Sequence, residues 1–240
     1  MKNNVIILTS GLSGSSVLAG LLARAGWWQG DETFKKRDYD THENSQLIAL
    51  NRRLFDEAGY RGHYEMVFDP ADIDCFADLS ARIDLSDYRD FIAQCDRHTP
   101  WLWKDPRLWL TIHLWKDVFD LGEVKFIHLT RNPLQAWIAM TIRRQIQEFG
   151  YLKRYLDGIG DSNRRFLQQQ GLDFLEMQYE DLVVDPDAAL RRLNDFLGSA
   201  LETADLQAVY RGRLYEKPKG IRDLATAALI YVRNYRERYR

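Results

Sequence analysis

Cysteine is scarce in this chain: Cys75 and Cys95 stand alone among 240 residues and share no motif spacing. That excludes a disulfide scaffold and predicts two buried free thiols in a reducing compartment. Strong charge of either sign is also missing. The formal net charge is −2, which gives no reason to expect a nucleic-acid partner, so any anion site must be built locally. The five histidines show no metal-ligand spacing and no cysteine joins them, so no metal is expected. No apolar run reaches the length of a membrane span. The first one ends at a Ser/Gly cluster too soon for a signal peptide, which makes a cytoplasmic setting the expectation. No internal repeat or low-complexity linker divides the chain.

What is present fits one domain over residues 1–240, with 45% hydrophobic residues to fill its core. Val5–Thr9 is a continuous β-branched run, as in a strand buried on both faces. A Gly/Ser-rich turn over residues 10–16 follows. Val17, Leu18, Leu21, Leu22 and Ala25 then recur at helical spacing up to Gly26. Residues 27–40 read as polar and irregular, and a helix is expected from about Asn44 to Ala58. The acidic, aromatic stretch 61–99 has room for two short helices. Val124–Thr130 reads as a second buried strand, with Asn132 capping a helix that starts at Pro133. Asp173–Tyr179 reads as a third strand, Asp185-Pro186 opens a helix that ends at Gly198, and a last helix covers about Leu224–Tyr235. Strands alternating with helices predict an α/β fold of three layers, with a central parallel sheet flanked by helices.

A glycine loop between a buried strand and a helix is suited to an anion, because its amides and the helix dipole point there. Gly11-Leu12-Ser13-Gly14-Ser15-Ser16 has that composition and place. It lacks the lysine of nucleotide kinases. On its own, an ordinary tight βα turn explains the loop equally well.

Ser13-Gly14-Ser15-Ser16 with the following Val17–Leu22 resembles the 5′-phosphosulfate loop of sulfotransferases that use 3′-phosphoadenylyl sulfate (PAPS). Trp101-Leu102-Trp103-Lys104-Asp105-Pro106-Arg107 resembles their strand-end lysine and proline turn. Phe126–Pro133, ending Arg131-Asn132-Pro133, resembles their 3′-phosphate motif. Tyr179-Glu180-Asp181-Leu182, with Asp185-Pro186 and the helix ending Phe196-Leu197-Gly198, resembles their late signature. The four occur in the family's order. The resemblance implies a P-loop-type fold, PAPS as donor, PAP as product, no required metal, and a small-molecule or carbohydrate hydroxyl as acceptor. It places Leu12, Ser13, Gly14, Ser15 and Ser16 on the 5′-phosphosulfate, Arg131 on the 3′-phosphate, and Tyr179 near the adenine. Lys219, in a late basic-glycine loop, would fold over the 3′-phosphate; a solvated charge run is the plainer reading there. Lys104 would stabilise the leaving oxygen. The base would be Glu43 in Asp40–Asn44, with His42 second; Glu43 could instead be a charge at a helix N-terminus.

Two departures stand out: Leu12 replaces a basic residue, and Ala139 replaces a serine eight positions past Arg131. They support an alternative, a catalytically degenerate relative that binds a nucleotide or a partner. A small-molecule kinase, the third reading, lacks its phosphate lysine.

Overall fold

The computed structural model of the protein describes residues 3–36, 39–209 and 220–234. Six strands form: β1 (Asn4–Thr9), β2 (Thr33–Lys35), β3 (Asp40–Asn44), β4 (Leu102–Lys104), β5 (Val124–Thr130) and β6 (Phe174–Gln178). Four of them make one parallel sheet in the order β4-β1-β5-β6, while β2 and β3 pair as a separate antiparallel hairpin. Helices α1 (Ser15–Arg24), α2 (Ser45–Glu57), α3 (Ala71–Asp74), α4 (Ser86–Asp96), α5 (Leu108–Trp115) and α6 (Pro133–Ile142) follow in chain order. After them come α7 (Phe149–Gln169), α8 (Asp181–Val184), α9 (Pro186–Leu197), α10 (Thr203–Val209) and α11 (Ile221–Arg233).

The continuous apolar runs explain the sheet's place in the middle layer. Successive side chains leave a strand on opposite faces. Ile6, Leu8, Trp103 and Phe126 therefore enter one core cluster, and Val5, Ile7, Leu102 and Ile127 enter the other. Helices α2, α4, α5 and α7 close the first through Leu47, Phe91, Leu110 and Ile159. Helices α1, α9 and α10 close the second through Leu18, Leu193 and Leu206. The layers are those the sequence predicts.

Local signals hold where polar caps mark them. The Asn132 side chain accepts from the amides of Leu134 at 3.0 Å and Gln135 at 3.3 Å, with Pro133 as the first helical residue. Asp185 accepts from the Ala188 amide at 3.1 Å, and Gly198 ends α9 in the left-handed region. Three elements were not expected. The stretch read as irregular contains β2, and Asp40–Asn44 is a strand rather than a helix start; Asn44 caps α2. The 21-residue α7 also emerges, with Leu152, Tyr155, Ile159 and Phe166 turned inward. No described helix is long and apolar enough to cross a membrane.

All four sheet strands point the same way, so Thr9, Lys104, Thr130 and Gln178 end at one edge. From β1 the chain crosses first to β4 on one side and then to β5 on the other. Such a reversal point opens a crevice at the strands' carboxyl ends.

A buried polar frame fixes the β4 end of that crevice. Asp105, fully buried, accepts from the Arg107 amide and from Arg107 Nη1, both at 2.9 Å. Its other oxygen accepts from Asn51 Nδ2 at 2.9 Å, and Asn51 Oδ1 in turn accepts from Trp115 Nε1 at 2.9 Å. Asn51→Leu keeps the volume but strands a carboxylate oxygen and an indole N–H. Each buried group left unpaired costs about 1–3 kcal/mol. Chemical denaturation should therefore show a loss of at least about 2 kcal/mol.

Candidate active site

The crevice is a cavity of about 460 Å³, in the range of small-molecule sites. The loop after β1 forms its floor. Gly14 adopts φ 82°, a left-handed conformation that suits glycine, and caps α1 without a side-chain bond. The first amides of a helix have no partner within it, so the loop presents donors to the cavity. Leu12 is also left-handed, at φ 58°, and costs strain that glycine would avoid. Its carbonyl accepts from Arg131 Nη1 at 2.8 Å, which ties the loop to the end of β5. Leu12 lines the cavity while its side chain packs partly against the core. Ser13 is buried and takes a hydrogen bond from Thr9 Oγ1.

Tyr179 follows β6 and lies across this loop. A Cβ at Gly14 would overlap its ring, and the Arg131 guanidinium sits 5.3 Å from the ring centroid. Gly14 thus serves close approach as well as its turn. Glu180 anchors the neighbouring segment: its Oε2 accepts from the Asn132 amide at 2.9 Å, and its Oε1 lies 3.7 Å from Arg131 Nε.

Lys104, the last residue of β4, is buried and reaches under the loop. Its Nζ donates to Glu43 Oε1 at 2.5 Å and to Ser16 Oγ at 3.3 Å. Burial pushes the Glu43 carboxyl above its ordinary pKa, while the Lys104 charge pulls the other way. We take the net direction as upward, because the desolvation of a carboxylate this deep is not fully repaid by one cation.

The structure separates the two candidate bases. Glu43 lines the cavity from β3 and is not a helix N-terminal charge: the first turn of α2 carries no acid. His42 points away from it. Its Nδ1 pairs with Gln29 Oε1 at 2.8 Å, and its ring presses on Gly20 of α1, where a Cβ would come within 2.8 Å of Nε2. His42 is itself left-handed at φ 57° in an irregular hairpin, and its neighbours Thr41 and Glu43 line the cavity while it does not. Burial lowers the His42 pKa. Lys219 lies outside the described residues. Ala139 is buried and is not among the described lining residues.

Four lining cations had not been singled out from the sequence: Lys36, Arg52, Arg107 and Arg143. With Lys104 and Arg131 they make six, against the carboxylates Glu43 and Glu65. A chain of net charge −2 thus concentrates positive charge in this crevice. Arg107 stood in the quoted Lys-Asp-Pro-Arg run. Arg52 follows Ile48 by one helical turn, and both line the cavity, a pairing that helical spacing could have flagged.

Comparison with known proteins identifies the family and the fold. A family model described as the sulfotransferase family matches residues 5–203. Sulfotransferase 2A6 of Rattus norvegicus is 29% identical over 126 residues, 45% of this chain and 44% of that one. The match therefore spans under half the length of that relative. The sulfotransferase domain of the Synechococcus PCC 7002 olefin synthase aligns with TM-score 0.51 and 20% identity, over 97% of this chain and 96% of that one. The sulfotransferase domain from the curacin biosynthetic pathway aligns with TM-score 0.51 and 18% identity, over 93% and 82%. At such identities these likenesses concern the fold.

The contact between Gly14 and Tyr179 is open to test. Gly14→Ala adds a left-handed alanine, costing about 1–2 kcal/mol, and a clash with the ring. Tyr179→Ala in the same chain removes only the clash. In a double-mutant cycle the pair should show a coupling of about 1 kcal/mol or more. Additive losses in denaturation would contradict the packing.

Proposed function

The chain belongs to the sulfotransferase family, and from that premise we propose that it transfers a sulfuryl group from PAPS to a hydroxyl of a small molecule or carbohydrate. One observation carries the reading: Lys104 and Glu43 meet 2.5 Å apart at the mouth of the glycine loop, with Ser16 Oγ at 3.3 Å. A cation for a leaving oxygen and a carboxylate for an incoming hydroxyl stand together beside an anion cradle.

The residues fit the donor. The left-handed Gly14 lets the loop amides face a phosphosulfate without an intervening side chain. Arg131 stands at the end of β5, ahead of the α6 N-terminus, where guanidinium and helix dipole both favour a phosphate. Tyr179 offers a ring face beside Arg131. The donor supplies a sulfuryl group activated by a phosphate leaving group. Lys104 holds its ammonium where the charge on the bridging oxygen grows, and such stabilisation acts chiefly in the transition state. It stands in for the basic residue that Leu12 replaces.

Glu43 receives the proton of the attacking hydroxyl. Its raised proton affinity suits it to that task better than an ordinary carboxylate. In the resting site Lys104 occupies Glu43. Anionic oxygens in the cradle compete for the same ammonium and leave Glu43 free to accept.

Two experiments check the division of roles. Arg131→Ala should weaken PAP binding in calorimetry by about 10- to 100-fold, the worth of one charge-assisted bond of about 1.5–3 kcal/mol. Lys104→Met should weaken PAP binding less than Arg131→Ala does and lower turnover at least about 10²-fold. Equal affinity losses would refute the assignment.

The pH profile gives the second check. Below its pKa Glu43 is protonated and cannot accept, so turnover should fall as pH drops through that value. Because burial raises it, the acid limb should lie above the usual glutamate value of about 4.3. Lys104→Met removes a charge that lowers the pKa and should move the limb to higher pH. An unmoved limb would assign it to another group.

A further inference from the structure

The cations of the cavity fall into two groups, and the sheet order separates them. Arg131 follows β5. Lys104 ends β4, with Arg107 three residues on, at the far edge of the sheet from β6. Strands are about 4.8 Å apart, so the β4 and β5 ends, with β1 between them, stand about 10 Å apart. The glycine loop and Arg131 belong to the donor in the proposed reading. Arg107 lies on the β4 side with Lys104, away from Arg131.

Arg107 is unusual in its surroundings. It is 7% exposed, yet it lines the cavity. Asp105 takes its Nη1 at 2.9 Å, and its guanidinium sits 4.9 Å from the Tyr64 ring centroid. Its Nε, fully buried, has no hydrogen-bond partner. A buried guanidinium held in place by a carboxylate on one side and an aromatic face on the other, with an N–H unpaired, is short of an acceptor. Leaving such a donor unsatisfied costs free energy that an incoming oxygen would recover. Arg52 lines the same cavity from α2 without a hydrogen bond or ion pair among the described residues. Asp105 offsets Arg107 and Glu43 is paired with Lys104, which leaves Arg52 without a carboxylate partner among the described residues. A single negative charge would match Arg52.

We propose that the acceptor is a hydroxy acid whose carboxylate is bound by Arg107 and Arg52 while its hydroxyl faces Glu43. This rests on the sulfotransferase reading and names the acceptor class for the same site. Planar carboxylate and guanidinium match in two parallel bonds, and Tyr64, Ile48 and Pro106 supply the wall between the two ends of the molecule.

The test uses the full chain saturated with PAP. Calorimetry compares 4-hydroxybenzoate, 4-hydroxyphenylacetate and 6-hydroxyhexanoate, each against its methyl ester. At least one acid should bind tenfold or more tighter than its ester. Arg107→Lys and Arg52→Ala should each cost that acid about tenfold, the value of roughly 1.4 kcal/mol, with no change in ester or PAP affinity. Arg52 is exposed on a helix, so its variant should fold even if Arg107→Lys does not. Esters binding as well as their acids, or no acid binding, would overturn the proposal. A loss of PAP affinity in both variants would move these arginines to the donor, leaving the transferase reading intact. Loss of PAP binding by the wild-type chain would instead sink the transferase reading itself.

Discussion

The buried pair of Lys104 and Glu43 holds the site together. Taking two charges out of water costs several kcal/mol per ion, and replacing such a pair by apolar residues is often neutral or better. Folding alone therefore gives little reason for it. The pair joins three parts that share no hydrogen-bonded sheet: the edge strand β4, the hairpin strand β3, and the first turn of α1 through Ser16. With it, the carboxylate, the ammonium and the loop amides occupy one small volume, and their relative positions are set before any ligand arrives.

Charge placement follows the same logic at larger scale. The chain is nearly neutral, yet its crevice collects cations from β4, β5, α2 and the turn after α6. Low-dielectric walls strengthen the field of charges gathered in this way. Backbone geometry does the rest, since the loop presents partial positive charge with no side chain at all at Gly14.

Much of this was legible in the residues. The runs Val5–Thr9 and Val124–Thr130 are long, apolar and bounded by turn residues, so their burial on both faces follows directly. Asn132-Pro133 and Asp185-Pro186 carry their caps in the sequence. Lys104, Arg131, Tyr179 and Glu43 all reach the crevice. What could not be read depends on distant partners. Asp40–Asn44 is polar and looks like a helix start, and only its pairing with β2 makes it a strand. Its place in the hairpin then decides between Glu43, which lines the cavity, and His42, which does not, a choice that one-dimensional reasoning left open. Arg107 stood in the quoted Lys-Asp-Pro-Arg run with no role of its own; Tyr64 against its guanidinium and Asn51 on its Asp105 partner, both from separate segments, make it a buried group. The late lysine Lys219 falls outside the described residues.

The hairpin β2–β3 lies apart from the main sheet, and this has a consequence for how such a protein can change. Gly11–Ser16, Arg131 and Tyr179 are set by the loops after three parallel strands, whose positions the core dictates. Glu43, Arg52 and Tyr64 all come from the single stretch between α1 and β4. In the proposed reading the first set handles a donor common to the family, and the second handles the molecule that receives the group. Inheritance can then conserve one while the other drifts, because insertions or replacements in that stretch leave the strand order untouched. The chain is in effect a fixed engine with an exchangeable adaptor, and the adaptor meets it at one ionic coupling.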